Sequence, residues 1–548
     1  MKKPKAIARK IVHQARDTFP EATDIAVRGS RKLLRDTRKA VKKISGGSQT
    51  VTAPSVKATG QVESTKYFAP LDLAGETYTD EERVTWLQAE HAFLLEAHVQ
   101  ASREAERVRL ETQAGEQQRL LSRMDASDVA TDSSKPTIEA ENPLDALHPD
   151  DFVSEYLTTK SSSPSGIKRL LVVSHNYPAE GNEYGGGFLH RRIKHYQSAG
   201  VHVDMLKLTG REPRTIYTYD DVNVMVSRGV EGARLVERGN YDAIAIHFPS
   251  SYVWGWLKQH AADNCFYFFI HGFEARRWVR EIHNLTTVGA VQGGINATLM
   301  RQSFWRDVIA EPYGPMKYVF VSKHALKGTQ DDMHVHFPVN RTAVIHNVID
   351  TDLFTYVPKA AEQRFKVLWI RSAGNLNYGS DLAIAAMKSL QKRDIFKQLE
   401  FLIIGDGKYF PQFETAFAGV SNVKIEQRFA SQEEIARLHK DYGIFLVPSR
   451  LDSQGVSRDE AMSSGLVPIT NAVSAIPEFV DETCAMLADP EDAETLADHI
   501  EALASDAELF QRMSQAAAAR VRKQTSPKHT IAKELVLMNL VDQEGDSA

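Results

Sequence analysis

Two cysteines in 548 residues, Cys265 and Cys484, are too few and too far apart for a disulfide framework. Buried free thiols in a reducing cytosol are the reading that fits. Long apolar runs are also missing. The richest, "NCFYFFIHGF", falls well short of the ~20 residues a membrane-spanning helix needs. No continuous apolar stretch follows the charged N-terminus, so a secretory signal is not indicated and a cytoplasmic protein is expected. A net charge of -5 is small for this length and gives no reason to expect nucleic acid as the partner of the whole chain.

What is present is enough apolar matter, 42% of residues, for two or three domain cores. Charge is unevenly placed: Met1 to Ile44 holds 14 Lys or Arg against 4 acids. There Ile7, Ile11, Val12, Ala15 and Phe19 recur at helical spacing, the pattern of basic amphipathic helices on an anionic bilayer surface. A partner-packed helix pair is the plain alternative for residues 1–45, and peripheral attachment to the inner face of the plasma membrane is the location the first reading implies. Residues 46–79 read as a loop. Residues 80–125 read as one long helix, with a partial heptad that suits self-association through a coiled coil or packing on its own enzyme. Residues 126–166 read as a Ser- and Pro-rich linker.

From Ile167 the pattern changes to short Val, Ile and Leu runs that alternate with amphipathic segments. That alternation predicts parallel sheets covered by helices. Two such sets, 167–355 and 356–520, predict two doubly wound Rossmann-like domains facing a cleft, with residues 521–548 as a helix packing back and a tail. Ligands in such sheets sit beyond the carboxyl ends of the strands, which directs attention to the turns.

Those turns hold the candidate site. After "LLVVSH" comes Gly185, Gly186 and Gly187 opening a helix, without the G-x-G-x-x-G dinucleotide spacing; a flexible loop is the plain alternative. His271 ends the aromatic strand "CFYFFI", where a structural hydrogen bond competes with a polarising role. Arg371 ends "FKVLWI" as a fork-shaped donor suited to phosphate. "IIGDGKY" offers a glycine turn at Gly405 and Gly407. In "DSQGVSRDEAM", Ser457 and Glu460 have the spacing of a capping box, which explains both without a ligand but leaves Asp452, Gln454 and Gly455 unexplained. Free N–H groups at Gly455, Val456 and Ser457, with two flanking acids, suit the phosphate, ribose and sugar of a nucleotide sugar.

This segment, with "EAMSSG", "IPEFV", "VFVSKHALKG", "VIHNVIDTDLF" and "RSAGNLNYGSD", resembles the family 4 retaining glycosyltransferases over roughly Lys168 to Leu540. The resemblance implies the GT-B fold, here with an α-helical N-terminal extension, and transfer of a sugar from a nucleotide-sugar donor to a glycan or lipid-linked acceptor. It makes Glu460 the ribose ligand, Asp452 the donor-sugar ligand, Arg371 a diphosphate ligand, and His271 the neighbour of the reacting carbon. Gly186 and its neighbours lie near the phosphate, and Gly455 to Ser457 along the donor. Tyr378 stands where the family usually has a Lys in the phosphate site, with Lys323 or Arg450 the substitutes in view. No cofactor and no essential metal are expected, and Asp350 and Asp352 read as hinge. A non-catalytic GT-B module kept as an assembly partner is the rival from another class; a sugar-nucleotide epimerase or a phosphorylase is a rival enzyme.

Overall fold

The structure, a computed structural model, describes residues 144, 147–161, 165–180 and 186–541. The basic segment 1–45, the loop 46–79, the long helix 80–125, Gly185 and the tail beyond 541 lie outside the described residues.

The N-terminal sheet is built from β1 (Arg169–Ser174), β2 (His202–Leu208), β3 (Thr215–Tyr219), β4 (Val222–Ser227), β5 (Ala243–His247), β6 (Phe266–Ile270), β7 (Lys317–Phe320) and β8 (Thr342–Val344). Their order is β3-β4-β2-β1-β5-β6-β7-β8. All neighbours are parallel except β3 and β4, an antiparallel edge pair. Leu170 to Val173 of β1 are fully buried because both faces of the sheet are covered.

Alternation along β1 assigns the covers. Leu171 and Val173 pack into a core with Phe152, Val153 and Tyr156. Leu170 and Val172 face the opposite core, which holds Ile531 and Leu535. The first cover corrects the expected linker: Pro149–Thr159 is a helix, started by Pro149 at its first position and capped by His148. Three buried side chains at roughly 2 kcal/mol each make it part of the fold rather than a tether. Tyr156 also donates to the buried carboxylate of Asp204 on β2 at 3.0 Å. The second cover is the helix Pro527–Leu537, so the chain's end returns to the first sheet.

The second sheet comprises β9 (Lys366–Ser372), β10 (Glu400–Asp406), β11 (Val423–Gln427), β12 (Ile444–Leu446), β13 (Val467–Asn471) and β14 (Met486–Ala488), all parallel, in the order β11-β10-β9-β12-β13-β14. The strand order reverses between β9 and β12, and it reverses between β1 and β5 in the first sheet. Crevices for ligands open at such reversals. Both cysteines are free; Cys484 is buried, but Cys265 is partly exposed rather than fully buried as expected. Among the described residues no helix is long and apolar enough to cross a membrane.

Candidate functional site

The donor-side candidates sit at the reversal in the second sheet. Arg371 leaves the end of β9 with its guanidinium 4.1 Å from the centre of the Tyr378 ring. It donates to Ser449 Oγ at 3.1 Å and approaches Asp452 Oδ2 at 3.5 Å. Arg371, Tyr378 and Asp452 are thus brought into one group by turns after β9 and β12. Gly379 fits the turn because its φ is +54° and a Cβ there would lie 3.1 Å from Pro448 backbone atoms.

The loop after β12 ends at Gly455, whose φ of +101° suits glycine and caps the helix Val456–Ser463. This overturns the capping box, since the helix starts before Ser457 and no side chain caps it. Val456, Ser457 and Arg458 therefore present first-turn N–H groups that precede any helical acceptor. Asp452 instead stabilises the loop, accepting from the Gln454 N–H at 3.1 Å.

Glu460, freed from any capping role, is only 5% exposed. Its Oε1 accepts from Arg191 of the N-terminal domain at 2.9 Å. Burial pushes its carboxyl up to about 7, against the pull of Arg191. Gln454, expected to touch the donor, is 1% exposed. Its side chain is engaged elsewhere: Oε1 accepts from Asn347 N at 2.6 Å, and Nε2 donates to Asn347 O and Asp459 Oδ2. Asn347 lies in the hinge, the segment between β8 and β9 that joins the two sheets, so Gln454 ties the loop after β12 to it.

The other wall comes from the first sheet. Gly186, at φ +87°, caps the helix Gly187–Ser198, and a Cβ there would lie 3.2 Å from Asn176 O. Gly187 lies beside Arg191 on this helix. His271 follows β6; its Nε2 shares a hydrogen bond with His247 Nδ1 at 3.0 Å, and its ring lies against Phe248 and Phe188. Burial and then the nearby Arg192 hold the imidazole well below its usual pKa, so it is neutral at neutral pH. The buried carboxylate of Glu274 accepts from the N–H groups of His271 and Gly272, at 2.5 and 2.9 Å, and fixes this turn. The two walls meet here: a Cβ at Gly272 would fall 2.2 Å from Ser453 Oγ.

Three expectations change. Gly405 is not in a turn: it lies in β10, where a Cβ would collide with Arg371 O at 2.1 Å, so sheet packing accounts for it. Gly407 alone makes the turn, packed on Gly374. Arg450 is not free for a phosphate, because Asp381 and Glu491 each hold it with two hydrogen bonds. Lys323 meets the C-terminal domain elsewhere, where Glu478 accepts from the N–H groups of Lys323 and His324. Asp350 Oδ1 accepts from Asp352 N and Leu353 N, a turn within the hinge. Sequence reasoning passed over Arg191, Glu274, Arg276 and Asn347. The only sequence signal for the first three is that they lie in "GGFLHRR" and "IHGFEARR", the stretches that hold Gly186 and His271.

The model of the family described as glycosyl transferases group 1 matches residues 359–520, which hold the whole of the second sheet. The match covers 162 of the 548 residues. Arg371, Asp452 and Glu460 all lie within the matched segment. The chain is also similar to glycogen synthase from Anaeromyxobacter sp. (strain Fw109-5), 28% identical over 108 residues, 19% of this chain. That match spans 22% of the length of the relative, and a second glycogen synthase, from Anaeromyxobacter dehalogenans, matches to the same extent.

Among solved structures, sucrose-phosphate synthase from Thermosynechococcus elongatus superposes with a TM-score of 0.51 at 13% identity, over 68% of this chain and 98% of that one. A glycosyltransferase from Rickettsia africae does so with 0.50 at 15%, over 69% and 100%. An α,α-trehalose-phosphate synthase from Burkholderia vietnamiensis gives 0.50 at 12%, over 68% and 99%. The two Rossmann-like domains together form a GT-B fold.

Proposed function

We propose that the protein is a retaining glycosyltransferase that moves a sugar, a hexosyl or related group, from a nucleotide-sugar donor to a glycan or lipid-linked acceptor, in the synthesis of cell-surface polysaccharide or glycoconjugate. The observation that carries this reading is the placement of two acids on either side of the Gly455 cap. Asp452 lies beside Arg371, and Glu460 is nearly buried at the head of the cleft, with first-turn N–H groups that precede any helical acceptor between them. A diol, a charged diphosphate and a second sugar would each find a matching partner there. The structural neighbours, which include a UDP-forming trehalose-phosphate synthase, agree with that donor class.

Glu460 takes two hydroxyls of the ribose and Asp452 takes the transferred sugar. Arg371 and the first-turn amides offset charge as the bond between the anomeric carbon and the diphosphate oxygen breaks, an electrostatic role expected to be large. The acceptor oxygen bonds to the same face of that carbon, and its proton passes to the departing diphosphate oxygen. His271, neutral and held by His247, lies on the opposite wall beside the reacting carbon. Meeting of the walls at Gly272 and Ser453 keeps water out.

Turnover of a nucleotide sugar with glycan or lipid-linked acceptors tests the reading, after a thermal-shift screen of UDP, GDP, ADP and dTDP selects the base. Expected are turnover in the wild type and none in Glu460→Ala, with the variant still folded. Nucleotide binding without turnover of any donor would instead favour a non-catalytic module.

A further inference from the structure

A nucleoside diphosphate brings several negative charges into the cleft, and the C-terminal side meets them only in part. Arg371 is offset by Asp452, and Arg450 by Asp381 and Glu491. Tyr378 is neutral, and Lys408 is exposed and directed over the ring of its neighbour Tyr409. Across the cleft the turn after β6 carries Arg276. Its Nη2 lies 3.5 Å from the point a Cβ at Gly272 would occupy, and Ser453 Oγ lies 2.2 Å from the same point. The guanidinium and the donor loop therefore meet around one glycine. The positive charge of Arg276 acts on the Tyr378 phenol together with the charges of Arg371 and Asp452, which places all four groups in one electrostatic neighbourhood.

Arg276 is also held ready. Nη1 donates to Glu281 at 2.6 Å, and Glu281 Oε1 in turn accepts from Asn377 Nδ2 of the phosphate-side turn at 3.2 Å. Among the described residues only Nη1 of this guanidinium has a partner, which leaves Nη2 for a ligand. The side chain is 14% exposed, enough to reach a ligand and too little to be a solvated surface charge.

We propose that Arg276 is a ligand of the donor diphosphate, supplied by the N-terminal domain and steered by Glu281. The proposal rests on the nucleotide-sugar reading above. A cation from the opposite domain reaches the leaving group only while the two walls are together, so closure and stabilisation of the departing charge become one event.

The test uses the full chain and isothermal titration with the nucleoside diphosphate picked by the thermal-shift screen, alongside the matching nucleoside. Arg276→Gln should weaken the diphosphate about tenfold or more, the equivalent of one charge-assisted hydrogen bond, and leave the nucleoside unchanged. Arg276→Lys should recover part of the loss, and Glu281→Gln should keep the preference for diphosphate over nucleoside. Diphosphate affinity within twofold of wild type in Arg276→Gln, or equal losses for diphosphate and nucleoside, overturns the proposal. If the wild type binds no nucleoside diphosphate, it is the nucleotide-sugar reading that fails, and Arg276 loses its role with it.

Discussion

Glu460 shows how one side chain can answer to two opposed demands. Burial raises its carboxyl to about 7, and Arg191 pulls it down again. A carboxylate accepting both ribose hydroxyls must be ionised, so nucleotide affinity should fall as pH drops below about 7, by up to about tenfold per unit. Titration of the ligand's own phosphate is separated by Glu460→Gln, whose affinity should lack that component. Arg191→Met, which removes the lowering partner, should move the fall-off to higher pH. Folding runs the other way. The folded pKa lies above the ordinary 4.5, so this group's contribution to stability is full below about 4.5 and is lost as pH rises through about 7. An affinity profile that is flat from pH 6 to 8 in the wild type would remove Glu460 from the nucleotide.

At the scale of elements, the turn after β6 and the loop after β12 are fitted to each other. Gly272→Ala puts a Cβ at φ +122° and 2.2 Å from Ser453 Oγ, a strain of about 1–3 kcal/mol before any clash is counted. Turnover should fall about tenfold or more, and affinity for the nucleoside diphosphate should fall with the contact that brings Arg276 across, while affinity for the matching nucleoside changes little. The added variant Ser453→Gly should restore part of the activity, a coupling that a double-mutant cycle measures. The strands flanking this contact were legible in the sequence because parallel strands covered on both faces become continuous apolar runs, as in "LLVV" and "CFYFFI". The helix Pro149–Thr159 was not, because "DDFVSEYL" lies among Ser, Pro and Asp residues that look like linker. Ser457 and Glu460 matched a capping box by spacing, yet the positive φ of Gly455 moved the helix start and left Glu460 to a partner 269 positions away. Arg191 and Arg276 gained their places only from the approach of two domains, which local pattern does not encode.

Across the whole molecule, the last helix makes the first sheet dependent on the chain's end. Glu534 on Pro527–Leu537 is fully buried, and burial holds its carboxyl above the usual range. It accepts from Tyr196 and pairs with Arg192, itself 1% exposed, at 3.1 Å. Arg192 also donates to Asn347 of the hinge at 3.2 Å, so one buried network joins the glycine-loop helix, the hinge and the C-terminal helix. Removing one partner from such a pair leaves an uncompensated charge and costs about 3–5 kcal/mol, whereas apolar groups of similar volume at both positions cost little. Glu534→Ala should therefore lower the urea midpoint strongly and expose the Pro527–Leu537 segment to limited proteolysis. The double variant Arg192→Met with Glu534→Leu should regain most of the midpoint. Its turnover should still fall below wild type, because the bond from Arg192 to Asn347 that steadies the hinge is gone. Recovery of stability together with full activity would show that the network serves folding alone and has no part in holding the two domains for catalysis.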